Sequence, residues 1–532
     1  MLRDLLIALS LANLCFLRIW NELFNGKLVY YAQVPPTNQL AAVALNVLLL
    51  ALVFWTGAQL ARRSRRPLLM RLARWAFLVV VLVEVKLPYV AFLLYQRLGW
   101  TNARPWFVAL WLLIVVAALF LASRWEARVT HALAVLLLIV SPFVAVTFYQ
   151  DVALALRVRE MSFTDQPPAA MLPAKPGSPR VVWLIFDEPD QRLIFDQRPP
   201  SVRLPEFDRL RAQSLAAEHA FAPARMTEMA MPALISGRLI SKAEPRGASE
   251  LMVTYGDSAA SVPWSRQPNV FSGARELGFN TALVGWYHPY CRVLGSSLSA
   301  CSWYDGPLLR GALQRQASIG DAMKQQAANV LITTLGLNRL GVDPRLVNRA
   351  EREEEVRDYL AILTEGQRRA ADPGLGLVLV HLPVPHPVGI WDRQRHEFKV
   401  SGDSSYLDNL ELADRALGEL RQAMESAGVW DSSTVVVSGD HWWRAEVWSR
   451  LDSLTAEEAA LAPATPDHRV PFVVKLAGQN TPLAYQPEMN TVLTRDLLLA
   501  VLRGDVRTPQ EAAAWLDQHR SIGDSPYNVL RK

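Results

Sequence analysis

The chain has 532 residues, 51% of them hydrophobic and 20% charged, with 55 Lys+Arg against 50 Asp+Glu. That length exceeds one ordinary core and predicts two or three domains, and the positive mean hydropathy excludes an intrinsically disordered chain. A formal charge of +5 gives no basis for a nucleic-acid partner, and three cysteines, Cys15, Cys291 and Cys301, exclude a disulfide scaffold and a cysteine zinc cluster.

Apolar residues concentrate before residue 155. Stretches of about 20 residues, the length that spans a bilayer, lie near Leu5–Phe24, Gln39–Leu60, Trp75–Tyr95, Trp106–Ala122 and Ala132–Tyr149. A signal peptide would be one short stretch. The segment after the second stretch carries Arg62, Arg63, Arg65, Arg66, Arg71 and Arg74, and the one after the fourth carries Arg124 and Arg128. The other two carry little: Lys27 in one, Arg97 and Arg104 in the other. By the positive-inside rule the N-terminus is cytoplasmic and everything after Asp151 lies outside. Residues 1–155 thus read as a five-helix, multi-pass transmembrane domain with an extracytoplasmic domain to follow. Trp20, Tyr30, Tyr31, Trp100, Trp106, Trp125 and Tyr149 suit interfacial anchoring. Arg18, Glu84 and Lys86 fall in or near the spans and read as snorkelling or mutually paired charges.

Residues 156–179, with Pro167, Pro168, Pro173, Pro176 and Pro179, predict a semi-rigid spacer. From Arg180 to residue 504, short β-branched runs alternate with helical patterns. Strands are expected at Val181–Phe186, Thr281–Gly285, Gly376–Val380, Thr434–Val437 and Val470–Lys475, and helices at Glu206–Glu218, Arg352–Ala371 and Tyr406–Ser426. This predicts an α/β domain with a mostly parallel central sheet, then a tail over 505–532.

In such sheets ligands gather beyond the carboxyl ends of the strands. Asp187-Glu188 follow the first strand and Trp286-Tyr287-His288 the second. The third runs into His381, with His386 five residues on, and the fourth into Ser438-Gly439-Asp440-His441. His468 precedes the last strand and reaches the same rim if that strand is antiparallel or its loop folds over. A lone His at a strand end is usually satisfied by a loop, and an Asp there is usually a cap or turn residue. Several strand ends that all supply carboxylates and imidazoles are not explained by capping. Their chemistry suits a divalent ion such as Zn or Mn.

The segment Ala224–Arg238 reads as a loop entering a short helix that ends at Gly237, with Thr227 at the N-cap. Thr227 is either a plain cap or a hydroxyl turned towards the metal, where its pKa falls and it becomes a nucleophile. In the second case the helix N-terminus faces an anionic phosphoryl group.

Phe186-Asp187-Glu188, the Thr227 to Gly237-Arg238 segment, His381 with His386, Asp440-His441 and His468 together resemble the alkaline phosphatase/sulfatase superfamily, over roughly Arg180 to Arg503. Sulfatases carry Cys or Ser ten residues before a Gly-Arg end, within Cys-x-Pro-x-Arg, for conversion to formylglycine. Here that position is Thr227, with Met229 and Met231 where Pro and Arg are required, and Thr cannot become formylglycine. Thr227 with Ala230 and Pro232 is similar instead to the five-span lipoteichoic acid synthases and phosphoethanolamine transferases. The resemblance implies a metal held by Asp187, Thr227, Asp440 and His441, with Glu188 replacing Asp187 if the alignment slips by one. It implies that His381, His386 and His468 contact the transferred group or an additional metal. Nothing acidic lies between His381 and His386, which favours a single metal.

On this reading Thr227 attacks a phosphodiester and His386 or His381 serves as acid or base. The Gly285–Tyr290 segment, including His288, and Trp442-Trp443 shape the substrate pocket, touch lipid, or simply pack. A membrane lipid is the expected donor, with an envelope glycolipid or polymer as acceptor. The alternatives are a membrane-bound hydrolase of phosphate or, less readily, sulfate esters, and a non-catalytic scaffold. The resemblance also brings disulfides. With Cys291 and Cys301 flanking a Gly-Ser turn on an oxidising side, one disulfide is expected, two buried thiols being the other possibility.

Overall fold

The computed structural model describes residues 1–64, 66–84, 124–173, 177–306, 318–334, 345–402, 405–450, 454–462 and 467–520. They form two compact units. One comprises Met1–Asn25, Val34–Glu160 and Gly311–Pro344, and the other Gly26–Gln33, Met161–Arg310 and Arg345–Lys532.

The first unit is helical. Thr37–Arg63 is 27 residues long and apolar enough to cross a membrane. Glu126–Ile139 and Pro142–Arg159, bent by 43° at their junction, count as a second span if taken as one. The first expected stretch is broken at Phe16 into Leu2–Cys15 and Leu17–Phe24. The third is described as far as Glu84, in Pro67–Glu84, and the fourth lies outside the described residues, as does Lys86. Among the described residues, then, one helix, or two with the bent pair taken as one span, is long and apolar enough to cross a membrane, and the remainder of the five expected stretches falls on broken helices or outside the described residues.

Polar side chains in this unit find one another, as an apolar surround demands. Asn13 Nδ2 donates to Thr147 Oγ1 at 3.2 Å, and Trp20 Nε1 to Asn13 Oδ1 at 2.9 Å. Arg18 pairs with Glu22 at 2.9 Å. Helix Ile319–Thr334, remote in sequence, packs on Thr37–Arg63. Ala42 meets Ala322, and Asn46 Nδ2 donates to Gln326 Oε1 at 3.2 Å.

The second unit is built on an eight-stranded sheet. Its strands are β1 (Val181–Asp187), β2 (Leu215–Ala217), β3 (Thr281–Trp286), β4 (Ala300–Tyr304), β5 (Leu377–Pro385), β6 (Thr434–Gly439), β7 (Phe472–Lys475) and β8 (Leu483–Tyr485). Their order is β8-β2-β7-β6-β1-β5-β3-β4. β6, β1, β5, β3 and β4 pair in parallel, while β7 runs antiparallel to β6 and β2. The sheet is thus mostly parallel, as expected, and the antiparallel β7 is the geometry His468 requires. Central strands are buried on both faces, so β1 and β6 read as continuous apolar runs, VVWLIF and TVVV.

The helix expected at Glu206–Glu218 ends early. Pro205–Arg211 is helical, and Leu215–Ala217 forms β2 between β7 and β8. Tertiary pairing there overrides the helix propensity of Leu-Ala-Ala. The Pro-rich segment is not a free spacer, since Gln166 N donates to Cys291 O and Ala169 N to Leu298 O. Part of the expected tail, Pro509–His519, is a helix that buries Ala512 and Leu516 in the core of this unit. Cys291 and Cys301 are joined in a disulfide.

Candidate functional site

The carboxyl ends of β1 and β6, at the centre of the sheet, set Asp187 and Asp440 side by side. Gly439 is required there, because a Cβ would meet Pro189 at 2.6 Å. Helix Thr227–Ser236 starts beside them. Its N-cap is Met226, so Thr227 is the first helical residue rather than the cap. The helix ends, as expected, at Gly237, whose φ of 68° suits a residue without Cβ.

Thr227 is 2% exposed. Its Oγ1 lies 2.8 Å from Asp440 Oδ2, 3.1 Å from Asp187 Oδ2 and 3.3 Å from His441 Nε2. One hydroxyl proton cannot serve both carboxylates. Asp440 Oδ1 accepts from the N–H groups of Glu188 and His441. Asp187 Oδ1 has no hydrogen-bond partner among the described residues and sits 3.3 Å from His441 Nε2.

The His441 tautomer follows from its other contact. Nδ1 faces the Trp442 carbonyl at 3.1 Å, which only accepts, so Nδ1 carries the proton and Nε2 offers a lone pair to the cluster. Such a backbone-anchored imidazole is the form that binds metals.

Burial raises both aspartates above the ordinary carboxylate range, Asp440 to about 7, and for Asp187 repulsion from Asp440 adds to it. Burial holds His441 well below its usual value. Two buried acids, a lone-pair nitrogen and a carboxylate oxygen without a partner fit a divalent cation. Asp187, Glu188 and His441 each offer a ligand atom within 4.8 Å of one another, as do Asp187, His381 and Asp440.

Of the two acids left open for the first position, Asp187 faces Thr227. The carboxylate of Glu188 is gripped by Arg444, through its backbone N at 2.5 Å and Nη2 at 3.2 Å. Glu188 adopts φ of 70°, and its own carbonyl accepts from Tyr406 Oη.

The imidazoles separate into three settings. His381 lies at the edge of the cluster, with Nε2 3.9 Å from Asp187 Oδ2 and without a hydrogen-bond partner among the described residues, and with Nδ1 3.1 Å from Tyr290 Oη. His386, partly buried, turns Nδ1 to the Pro387 carbonyl at 2.6 Å, which puts the proton on Nδ1 and the lone pair on Nε2. Burial pushes both down to about 3, so each is neutral at physiological pH. His468 lies against Trp442, ring centroids 4.2 Å apart and the planes tilted by 42°. His288 is fully buried, with Nε2 3.2 Å from the Thr227 carbonyl at the start of helix Thr227–Ser236. Trp443 stacks on Tyr406 at 4.8 Å, and Trp286 lies edge-on to His386 at 5.1 Å.

Arg444 and Tyr406 were not singled out from the sequence, and Tyr290 was named only as the end of the Gly285–Tyr290 segment. Arg444 had a signal, a cation four residues past Asp440 in the loop that follows β6. Nothing local marks Tyr406.

No curated protein was found to be similar in sequence to this chain. Similar solved structures include i-CgsB (14% identity, TM-score 0.42, covering 66% of this chain and 78% of that one). They include the lipoteichoic acid synthase LtaP from Listeria monocytogenes (14%, 0.36, 62% and 75%). A third is the phosphonate monoester hydrolase of Agrobacterium radiobacter (14%, 0.36, 61% and 74%). The Sulfatase family model matches residues 179–500, more than half of the chain. The chain therefore belongs to the sulfatase family of the alkaline phosphatase superfamily, metal-dependent enzymes that act on sulfate or phosphate esters.

Proposed function

We propose that the chain is a membrane-anchored phospho-group transferase with Thr227 as nucleophile, which moves a phospholipid head group onto an envelope glycolipid or polymer outside the membrane. The observation that carries this reading is the Thr227 hydroxyl, buried within 3.3 Å of Asp187, Asp440 and His441. Asp187, Asp440, His441 and Thr227 would hold the cation, Zn or Mn. A bound divalent cation lowers the hydroxyl pKa and stabilises charge on the phosphoryl oxygens.

Thr227 Oγ forms a bond to phosphorus as the bond to the diacylglycerol oxygen breaks, leaving a phosphothreonine that still carries the head group. The hydroxyl proton passes to the carboxylates that flank it and is relayed to the leaving oxygen, with a neutral imidazole able to accept it and hand it on. The acceptor hydroxyl then attacks the phosphothreonine and frees Thr227. His381 and His386 are the candidates for proton exchange, and the Nε2 lone pair of His386 suits removal of the acceptor proton. His468 on Trp442 is assigned to substrate contact. Asp187 is preferred to Glu188 as ligand because Arg444 already neutralises Glu188. An extracytoplasmic catalytic unit is supported by the arginine asymmetry of the apolar region, and a lipid donor by its tethering there.

A hydrolase in which water releases the phosphothreonine shares the first half-reaction, and membership of a family of ester hydrolases favours keeping it as the second reading. Thr in place of a formylglycine precursor weighs against sulfate esters.

The test is intact-protein and peptide mass spectrometry after exposure to labelled phosphatidylglycerol and phosphatidylethanolamine, beside Thr227→Ala. A head-group phosphate on Thr227, absent in the variant, is expected, and its mass identifies the donor. Turnover without any adduct, undiminished in Thr227→Ala, would overturn the reading.

A further inference from the structure

The segment Gly26–Gln33 falls in sequence between the first two apolar stretches, yet it is part of the catalytic unit. Val29, Tyr30, Tyr31 and Ala32 are all buried, Tyr30 completely. Arg292, 1% exposed and next to the Cys291–Cys301 disulfide, donates from Nη2 to the carbonyls of Tyr30 (2.9 Å) and Ala32 (2.8 Å). The ring of Tyr31 packs edge-on to Tyr287 at 5.2 Å, and His288 is edge-on to Trp264 at 5.3 Å. The tyrosines are therefore fixed from several directions.

Their hydroxyls meet the start of the nucleophile helix. Tyr30 Oη lies 3.1 Å from His288 Nδ1, and His288 Nε2 lies 3.2 Å from the Thr227 carbonyl. Tyr31 Oη donates to Glu228 Oε1 at 3.2 Å. The Thr227 carbonyl only accepts, so Nε2 of the neutral ring carries the proton. Nδ1 must then accept, and Tyr30 donates to it. The Thr227 carbonyl selects the one proton arrangement that satisfies this buried series, and the Tyr30 hydroxyl completes it. Without that hydroxyl a buried acceptor loses its donor, and the ring is no longer held from its far side against Thr227.

From this geometry we propose that Tyr30 is a positioning residue for Thr227: through His288 it fixes the peptide plane from which the nucleophilic hydroxyl projects, with Tyr31 holding the adjacent Glu228. A chain segment between two apolar stretches thereby completes the catalytic unit. The inference rests on Thr227 as nucleophile. Small misplacements of a reacting atom cost rate far more than binding.

The test uses the full chain in detergent with bis(p-nitrophenyl) phosphate and Mn²⁺. Tyr30→Phe and His288→Leu should each lower kcat about tenfold with KM and metal content little changed. The double variant should be no worse than His288→Leu, because the two act in series. His288→Gln, which keeps both a donor and an acceptor, should recover part of the loss. Tyr359→Phe, which removes a buried hydroxyl bonded to the Leu412 carbonyl, is the control and should leave kcat unchanged.

Unaltered kcat in folded Tyr30→Phe, additive losses, or a loss confined to KM would overturn the proposal. If Tyr30→Phe melts early, the His288→Leu and His288→Gln pair decides alone, and equal activity in both overturns it. Turnover that survives Thr227→Ala would instead remove the nucleophile on which the proposal rests.

Discussion

Arg180 and Asp187 bracket the same strand, β1, and both are buried charges, but their surroundings differ. At the amino end of the sheet, Arg180 donates to the carbonyls of Leu375 (3.1 Å), Ala370 (2.5 Å) and Asp372 (3.2 Å) and to Ser433 Oγ (2.8 Å). Burial lowers it to about 10, so it stays charged at physiological pH, and it ties three loops together. At the carboxyl end, Asp187 meets another acid, Asp440, and one of its oxygens has no hydrogen-bond partner among the described residues. A charge retained for the fold is surrounded by partners. Asp187 is left short of them, in an arrangement that fits a cation.

The largest effect should come from the carboxyl end. Asp440→Asn should lower turnover by roughly a thousandfold or more, because the ligand and the Thr227 partner are lost together. Steady-state kinetics at saturating metal would read this, and retention of a tenth of the activity would refute the assignment. The amino end should behave in the opposite way. Arg180→Met should cost about 2–4 kcal/mol of stability by leaving buried carbonyls without donors, with kcat per folded molecule preserved. Chemical denaturation beside an active-site titration separates the two.

Proton linkage sharpens the contrast. Asp440 in the folded protein titrates at about 7, above the ordinary unfolded value near 3.9. Without metal the folded state therefore holds a proton that the unfolded chain has released across that window. The associated stability is complete below about pH 4 and is lost as pH rises through about 7. Asp414, which accepts from the backbone N–H groups of Glu206 and Phe207, is likewise raised by burial to about 7 and has the same sign. Melting temperature in chelator should fall from about pH 5 to pH 8. Added metal should recover the Asp440 share and not the Asp414 share. Identical pH slopes with and without metal would contradict this.

Smaller effects should come from the rim. Glu188→Gln should cost about tenfold in kcat, less than Asp187→Asn, because Glu188 acts through Arg444. His468→Ala should raise KM about threefold with kcat little changed, in keeping with a substrate contact made beside Trp442.

What the sequence disclosed and what it concealed divide along the same physical line. β1, β3, β5 and β6 were legible because strands buried on both faces must be continuous apolar runs. β2, β4 and β8 escaped: β2 and β8 have three residues each, β4 is buried only in part, and Leu-Ala-Ala in β2 is as good a helix former as a strand. Asp187, Asp440 and His441 could be found because they immediately follow legible strands. Thr227 needed the resemblance, since locally it is only a residue at the start of a helix. Tyr30 could not be found at all. Its partner His288 lies 258 residues away, and a tyrosine between apolar stretches reads as an interfacial anchor.

Metal content tests the central claim most directly. The full-length protein, purified without chelator and analysed by inductively coupled plasma mass spectrometry, should carry about one equivalent of Zn or Mn. Asp187→Asn and Asp440→Asn should carry almost none, whereas Arg180→Met should keep it. Full occupancy in the two aspartate variants, or none in the wild type after metal is supplied, would contradict a metal-held Thr227.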